Sequence, residues 1–228
     1  MPPFKDSKSL KITAHLSTPL AGDPPFLDAI IEWEQAQRDG KAHRIQRHEP
    51  APPYGEIHIS MRRAKIGGVL VPCCSAPILA PDHETVEHFA KRFGVEHAAL
   101  LREERRLVVA TGNSEYKSYR LPLHLRAVDR IVWFCDGNRR PLKKLLQSVR
   151  SVGKKRSQGY GRIERWELEW IDDDWSWFAP TDNGPVLMRP LPLCDELPAG
   201  LLGSRPDFGA VQPPMWHPDR YMERVVPC

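Results

Sequence analysis

Leu10 to Ser17 alternates without a break, with Leu10, Ile12, Ala14 and Leu16 on one side and Lys11, Thr13, His15 and Ser17 on the other. That period of two predicts a strand with one buried and one polar face. Beyond a Pro19-Leu20-Ala21-Gly22 turn, Asp23 is placed to cap a helix that opens at Pro24 or Pro25, turns on Leu27, Ile30, Ile31 and Glu34, and stops near Gly40. Residues 41–55 mix cations, histidines and prolines and read as a loop. Alternation resumes from Tyr54 to Met61 as a second strand, and Gly67, Gly68 and Pro72 then punctuate the chain.

Residues 75–118 read as an insertion. Within it Asp82 is positioned to cap a short helix carrying Val86, Phe89, Ala90 and Phe93 and ending at Gly94, followed by the charged segment Glu96 to Arg106. Leu107 to Thr111 and Tyr119 to Leu125 are expected to pair across Gly112 to Glu115. Ile131 to Cys135, bounded by Asp136-Gly137-Asn138, suits a central strand buried on both faces. Leu142, Leu145, Leu146, Val149 and Val152 then recur at helical spacing between Pro141 and Gly153, which leaves Lys143, Lys144 and Arg150 facing outward. After the loop from Gly153 to Gly161, Trp166, Leu168 and Trp170 alternate with Arg165, Glu167 and Glu169 as an outer strand. The 58 residues from Ile171 onward hold ten prolines and show neither period, so an irregular wrap is expected, with Trp175 and Trp177 packed down and Asp172 to Asp174 left wet.

Composition narrows the class. The 228 residues are 41% hydrophobic and 27% charged, as in an ordinary globular protein, and they suffice for a core without disulfides. Five cysteines cannot all pair within the chain and read as reduced, structural thiols of a cytoplasmic protein. Neither a run of roughly 18 apolar residues nor the apolar core of a signal peptide is present, so no membrane partner is expected. Charge divides unevenly: residues 1–165 carry 29 Lys and Arg against 18 Asp and Glu, and residues 166–228 carry 4 against 11. From Asn138 to Ile163 nine cations (Arg139, Arg140, Lys143, Lys144, Arg150, Lys154, Lys155, Arg156 and Arg162) meet no acid, which makes a field attractive to polyanions or, alternatively, a solvated face.

Candidate chemistry concentrates in Gly153-Lys154-Lys155-Arg156-Ser157-Gln158-Gly159-Tyr160-Gly161. It is no P-loop, because Ser148 occupies the place of the first glycine and Lys155 that of the hydroxyl residue. Three glycines permit close backbone approach, three successive cations suit phosphates, and Tyr160 offers a ring to a base. RNA is the ligand that fits this set, with Arg162 and His15 beside it. His43/His48 and His83/His88 miss the i, i+4 spacing of a helical zinc pair, and the adjacent Cys73 and Cys74 cannot form a knuckle, so no metal or other cofactor is expected. His15, or Tyr54, could serve as general base in RNA cleavage, although no nucleophile signature accompanies them.

The segments Trp133-Phe134-Cys135-Asp136-Gly137-Asn138, Leu145-Leu146 and the glycine-rich loop resemble the RAMP superfamily of CRISPR proteins. Leu10 to Leu16 and Pro24-Pro25-Phe26-Leu27-Asp28 further resemble the type IV member of its "Cas five" group. The resemblance implies an α+β, ferredoxin-like (RRM-like) core over residues 8–170, with one sheet face free, 75–118 as a thumb-like insertion and 171–228 as an acidic, proline-rich extension. It implies a non-catalytic subunit that grips the 5′ handle of a crRNA and caps a filament of backbone subunits, with a large subunit and target DNA as further partners. The same superfamily includes endoribonucleases that cut CRISPR repeats without metal. A third reading is a scaffold whose basic stretch meets an acidic surface, its own Asp172 to Asp174 included.

Overall fold

A computed structural model describes residues 8–41, 57–94 and 117–227. Along the chain these form β1 (Lys8–Leu16), β2 (Leu20–Ala21), α1 (Leu27–Arg38), β3 (Arg63–Ile66), β4 (Val69–Pro72), β5 (His83–Lys91), β6 (Tyr119–Ala127) and β7 (Arg130–Gly137). They continue with α2 (Arg139–Leu146), β8 (Ile163–Trp170), β9 (Phe178–Thr181), β10 (Gly184–Leu187), β11 (Leu191–Pro192), β12 (Ser204–Ala210) and β13 (Tyr221–Pro227). The result is a mixed α/β protein whose paired strands are antiparallel.

The alternation of β1 makes it the middle of the sheet β7-β1-β8. Leu10, Ile12 and Ala14 are fully buried, and both helices press onto that face: Leu27, Ile30 and Ile31 of α1 and Leu142, Leu145 and Leu146 of α2 share one core with Ile131, Trp133, Cys135 and Leu168. Each such side chain withdrawn from water stabilises the fold by about 1.5–3 kcal/mol. The far edge of β7 is closed by bridges from Met61, Cys74 and Ile78, so the strand is central, as its apolar run predicts. Asp23 does not cap α1. The helix begins at Leu27 rather than at Pro24 or Pro25, which puts Phe26 at the N-cap without a side-chain bond, and Asp23 accepts from the Arg126 guanidinium at 3.1 Å.

Ile57, Ile59 and Met61 are buried in alternation, yet only Met61 pairs, and Tyr54 lies outside the described residues. The expected helix after Asp82 is a strand. β5 pairs with β6 over nine residues, from His83↔Ala127 to Lys91↔Tyr119, and most of β5 is exposed. A strand wet on both faces has no two-residue hydrophobic period to display, so Val86, Phe89 and Ala90 mimic a helical stripe. Leu107 to Thr111, the expected partner of Tyr119 to Leu125, and the segment from Glu96 to Arg106 lie outside the described residues.

The C-terminal region is also more regular than its prolines predict. β9 and β10 form a hairpin, β11-β13-β12 form a sheet, and Leu187, Leu191, Val211 and Val225 build a second core with Ile66 and Val71 of the β3–β4 hairpin. The prolines either lie between strands or, within them, fall in two-stranded ribbons, on edge strands such as β12 with Pro206, or at a strand end such as Pro227. Trp177 donates its indole N–H to Pro72 O at 2.9 Å, and Trp175 meets Phe134 edge-on at 4.9 Å. Phe134 and Thr13 are buried, so the second sheet face is free only in part. Cys73, Cys74 and Cys135 lie buried at the junction of the two cores. Loss of water raises all three thiols, Cys73 to about 12, which keeps them protonated and inert.

Arg189 joins the two cores. Fully buried, it ion-pairs with buried Asp28 of α1 at 3.0 Å and donates to Pro72 O, Cys74 O and Val211 O at 2.8, 2.9 and 2.7 Å. Arg189→Met strands the Asp28 carboxylate and three carbonyls, so urea unfolding is expected to show a loss of about 3–5 kcal/mol. A loss below about 1 kcal/mol contradicts the assignment of this pair as the junction's main tie.

Candidate functional site

α2 ends at Leu146, short of the expected stop at Gly153; Val149 and Val152 enter the core beyond the helix, and Gly153 then turns the chain into the glycine-rich loop at φ 81°. Lys155 adopts a left-handed conformation at φ 54°, Arg156 to Gln158 make one 3-10 turn, and Gly159 and Gly161 return the chain at φ 92° and 61°. The loop is pinned to the link between β1 and β2. Lys154 N donates to Ala21 O at 2.8 Å, Gly161 N to Pro19 O at 2.8 Å, and the Thr18 hydroxyl donates to Gly159 O at 2.8 Å while accepting from Arg162 N at 2.9 Å. A Cβ on Gly161 would collide with the Val152 carbonyl oxygen, and one on Gly153 would stand 2.7 Å from Ala21 O. These two glycines therefore serve packing. Gly159 has open space around it, which suits approach by a ligand.

Two of the sequence-selected side chains anchor the loop rather than reach outward. Lys155 Nζ lies 3.4 Å from the centroid of the Phe89 ring, and the Tyr160 hydroxyl donates to Glu87 Oε2 at 3.2 Å. The Tyr160 ring packs against Ala21, Leu123 and Leu125, so its geometry fits positioning of the loop rather than stacking on a base. Desolvation, with the Glu87 carboxylate, holds that phenol above its usual range. Phe89 and Glu87 lie on β5, some seventy residues upstream, and no local signal in the sequence links them to the loop.

The remaining cations face water. Arg150, Arg156 and Arg162, with Ser17, Gly159, Tyr160 and the single carboxylate Glu164, line an open groove of about 660 Å³. Arg139, Arg140, Lys143 and Lys144 are exposed along α2, Lys154 is exposed over Gly22, and Ser157 and Gln158 stand at the loop's tip. Among the described residues none of these cations has a carboxylate partner. Helical periodicity places Arg150 only on an outward face; the loop's return brings it into the groove.

His15 lies at the opposite side of the sheet from the helices, its Nε2 2.9 Å from Glu167 Oε2, and this bond holds the Glu167 carboxyl below its usual range. It is not grouped with the loop cations. The acidic run does not mask them either, since Asp174 pairs with Arg62 at 3.2 Å, beside the Arg62–Asp136 ion pair. Among the described residues no three His, Cys, Asp or Glu side chains gather as a metal cluster, and no helix is long and apolar enough to cross a membrane.

Fold and site together define a mixed α/β protein of antiparallel sheets that carries a pinned glycine-rich loop beside a field of unpaired cations. Compared with family models, residues 81–227 match the CRISPR type IV associated protein Csf3, and the chain belongs to that family. No curated protein matches it.

The two kinds of glycine give a direct test of the loop's construction. Gly161→Ala combines a positive φ with a backbone collision and is expected to lower stability by about 2–3 kcal/mol, against about 1 kcal/mol for Gly159→Ala, where only the φ is strained. Equal losses in thermal unfolding contradict the packing role of Gly161.

Proposed function

We propose that the chain is a non-catalytic RNA-binding subunit of a type IV CRISPR effector ribonucleoprotein, gripping the 5′ handle of the crRNA at the end of a filament of backbone subunits. The observation that carries this is the groove at the glycine-rich loop: Arg150, Arg156 and Arg162 converge there without ion-pair partners, on a backbone held still by Thr18, Lys155 and Tyr160. A pinned backbone lowers the entropy lost when phosphates arrive, and Arg is suited to their bidentate capture. Family membership supports the CRISPR setting. The order β8-β1-β7, with β7 bridged on its far edge and α1 and α2 on one face, supports a ferredoxin-like core. Val86 on β5, within the inserted segment, and Leu121 on its partner β6 are exposed and offer apolar contact to a neighbouring backbone subunit. The large subunit, target DNA and a cytoplasmic setting belong to the same reading.

Replacing Arg156 and Arg162 together by Glu is expected to weaken RNA binding and to reduce the slope of log K against log salt by about 0.7 per lost phosphate contact. Lys155→Ala is expected to do less, since that ammonium already sits on Phe89. Unchanged affinity and slope in the double variant contradict the proposal.

One observation favours a second reading, a metal-independent endoribonuclease: His15 and Glu167 form a histidine–carboxylate pair, the kind of pair that orients a general base. Repeat RNA incubated with the protein in chelator is expected to stay intact. A discrete cut that disappears in His15→Ala establishes the enzyme instead.

A further inference from the structure

Trp170 ends β8 on the face that buries Leu168 and packs Trp166 against Trp133 at 5.9 Å, but it projects beyond that core and stays 46% exposed. Beside it begins α2. Trp170, Asn138, Arg139, Arg140, Lys143 and Lys144 line a cleft of about 960 Å³ whose lining contains no carboxylate. Those four cations are exposed and unpaired among the described residues.

From this juxtaposition we infer that the cleft between Trp170 and α2 is a second RNA subsite, in which one base of a single strand stacks on the Trp170 indole and the flanking phosphates lie along Arg139, Arg140, Lys143 and Lys144. The inference rests on the RNA-binding reading and extends it to a place outside the glycine-rich loop. An exposed indole flanked by guanidiniums and ammoniums, without acids, is complementary to a base between two phosphates. A protein partner would have to neutralise four cations with its own carboxylates, whereas a nucleic acid brings one negative charge with every nucleotide.

The two sites are also neighbours. Arg139 and Lys143 line the adjoining groove along β8 together with Arg165, Glu167 and Glu169, the two carboxylates being paired with His15 and Lys11, and the first residue of β8, Ile163, lines the groove at the loop beside Glu164. Seven residue steps along β8 separate the two sites by roughly 23 Å at about 3.3 Å per step. A stacked strand rising about 3.4 Å per nucleotide covers that distance in roughly seven nucleotides.

The test uses the full chain and a single-stranded RNA of roughly twenty nucleotides, longer than the span of both sites. Trp170→Ala is expected to weaken binding about 5- to 150-fold, the range for loss of one base–aromatic stack, while leaving the salt slope unchanged because no charge is removed. Trp170→Phe, which keeps a ring, is expected to retain most of the affinity. In the wild-type chain, bromouridine-substituted RNA is expected to photocross-link to the peptide containing Trp170. If Trp170→Ala binds as the wild type does and no cross-link forms, while Arg156→Glu with Arg162→Glu abolishes binding, the subsite is overturned and the loop reading stands. Loss of a co-purifying protein from Trp170→Ala at undiminished RNA affinity assigns the cleft to that protein and overturns the subsite. A wild-type chain that binds no RNA overturns both readings.

Discussion

The buried pair between Arg189 and Asp28 is the constraint on which the arrangement of the molecule depends. Neither group retains any contact with water, and the guanidinium satisfies three backbone carbonyls from two separate segments, residues 72–74 and Val211. An ion pair of this kind contributes little net stability against a well-packed apolar replacement, but it tolerates few alternatives once formed. It fixes the start of α1 against the β4 exit and the C-terminal sheet. From the other end of α1, Arg38 donates to Lys144 O and Ser148 Oγ, and Ser148 Oγ donates to Glu34. Placement of the C-terminal core is thus transmitted through α1 to α2, and so to the basic surface and the loop that α2 feeds.

That loop divides its residues between holding itself and facing outward. Gly153 and Gly161 allow the backbone to lie against residues 19–21 and 152, and Lys155 and Tyr160 fasten the loop to the β5–β6 ribbon. Arg156, Ser157, Gln158 and Arg162 remain exposed. Because the ribbon supplies the fastening, residues inserted between the two halves of the core stiffen the cationic surface without contributing a cation to its groove. Preorganisation of this sort lowers the entropy lost when a flexible polyanion binds.

Periodicity discloses β1, α1, α2 and β8, since each turns one face to a shared core, and an unbroken apolar run discloses β7, which is buried on both faces. It fails for β5, whose two faces are both wet, and for the C-terminal strands, whose prolines mark edges that a single sequence does not distinguish from loops. The run of cations from Arg139 to Arg162 is equally legible. The uses of Lys155 and Tyr160 are not, because their partners lie on a ribbon distant in sequence. In the sequence Trp170 is one member of an alternating strand, and only the position of α2's first turn makes this edge residue a wall of a charged cleft.

A structure of the assembled ribonucleoprotein tests the central claim most directly, by the position of the RNA backbone relative to the chain. The account predicts phosphate oxygens within ion-pair distance of Arg156 and Arg162, beside an undisturbed Lys155–Phe89 contact. Guide RNA bound elsewhere, with those two guanidiniums in solvent or paired to protein carboxylates, would contradict it.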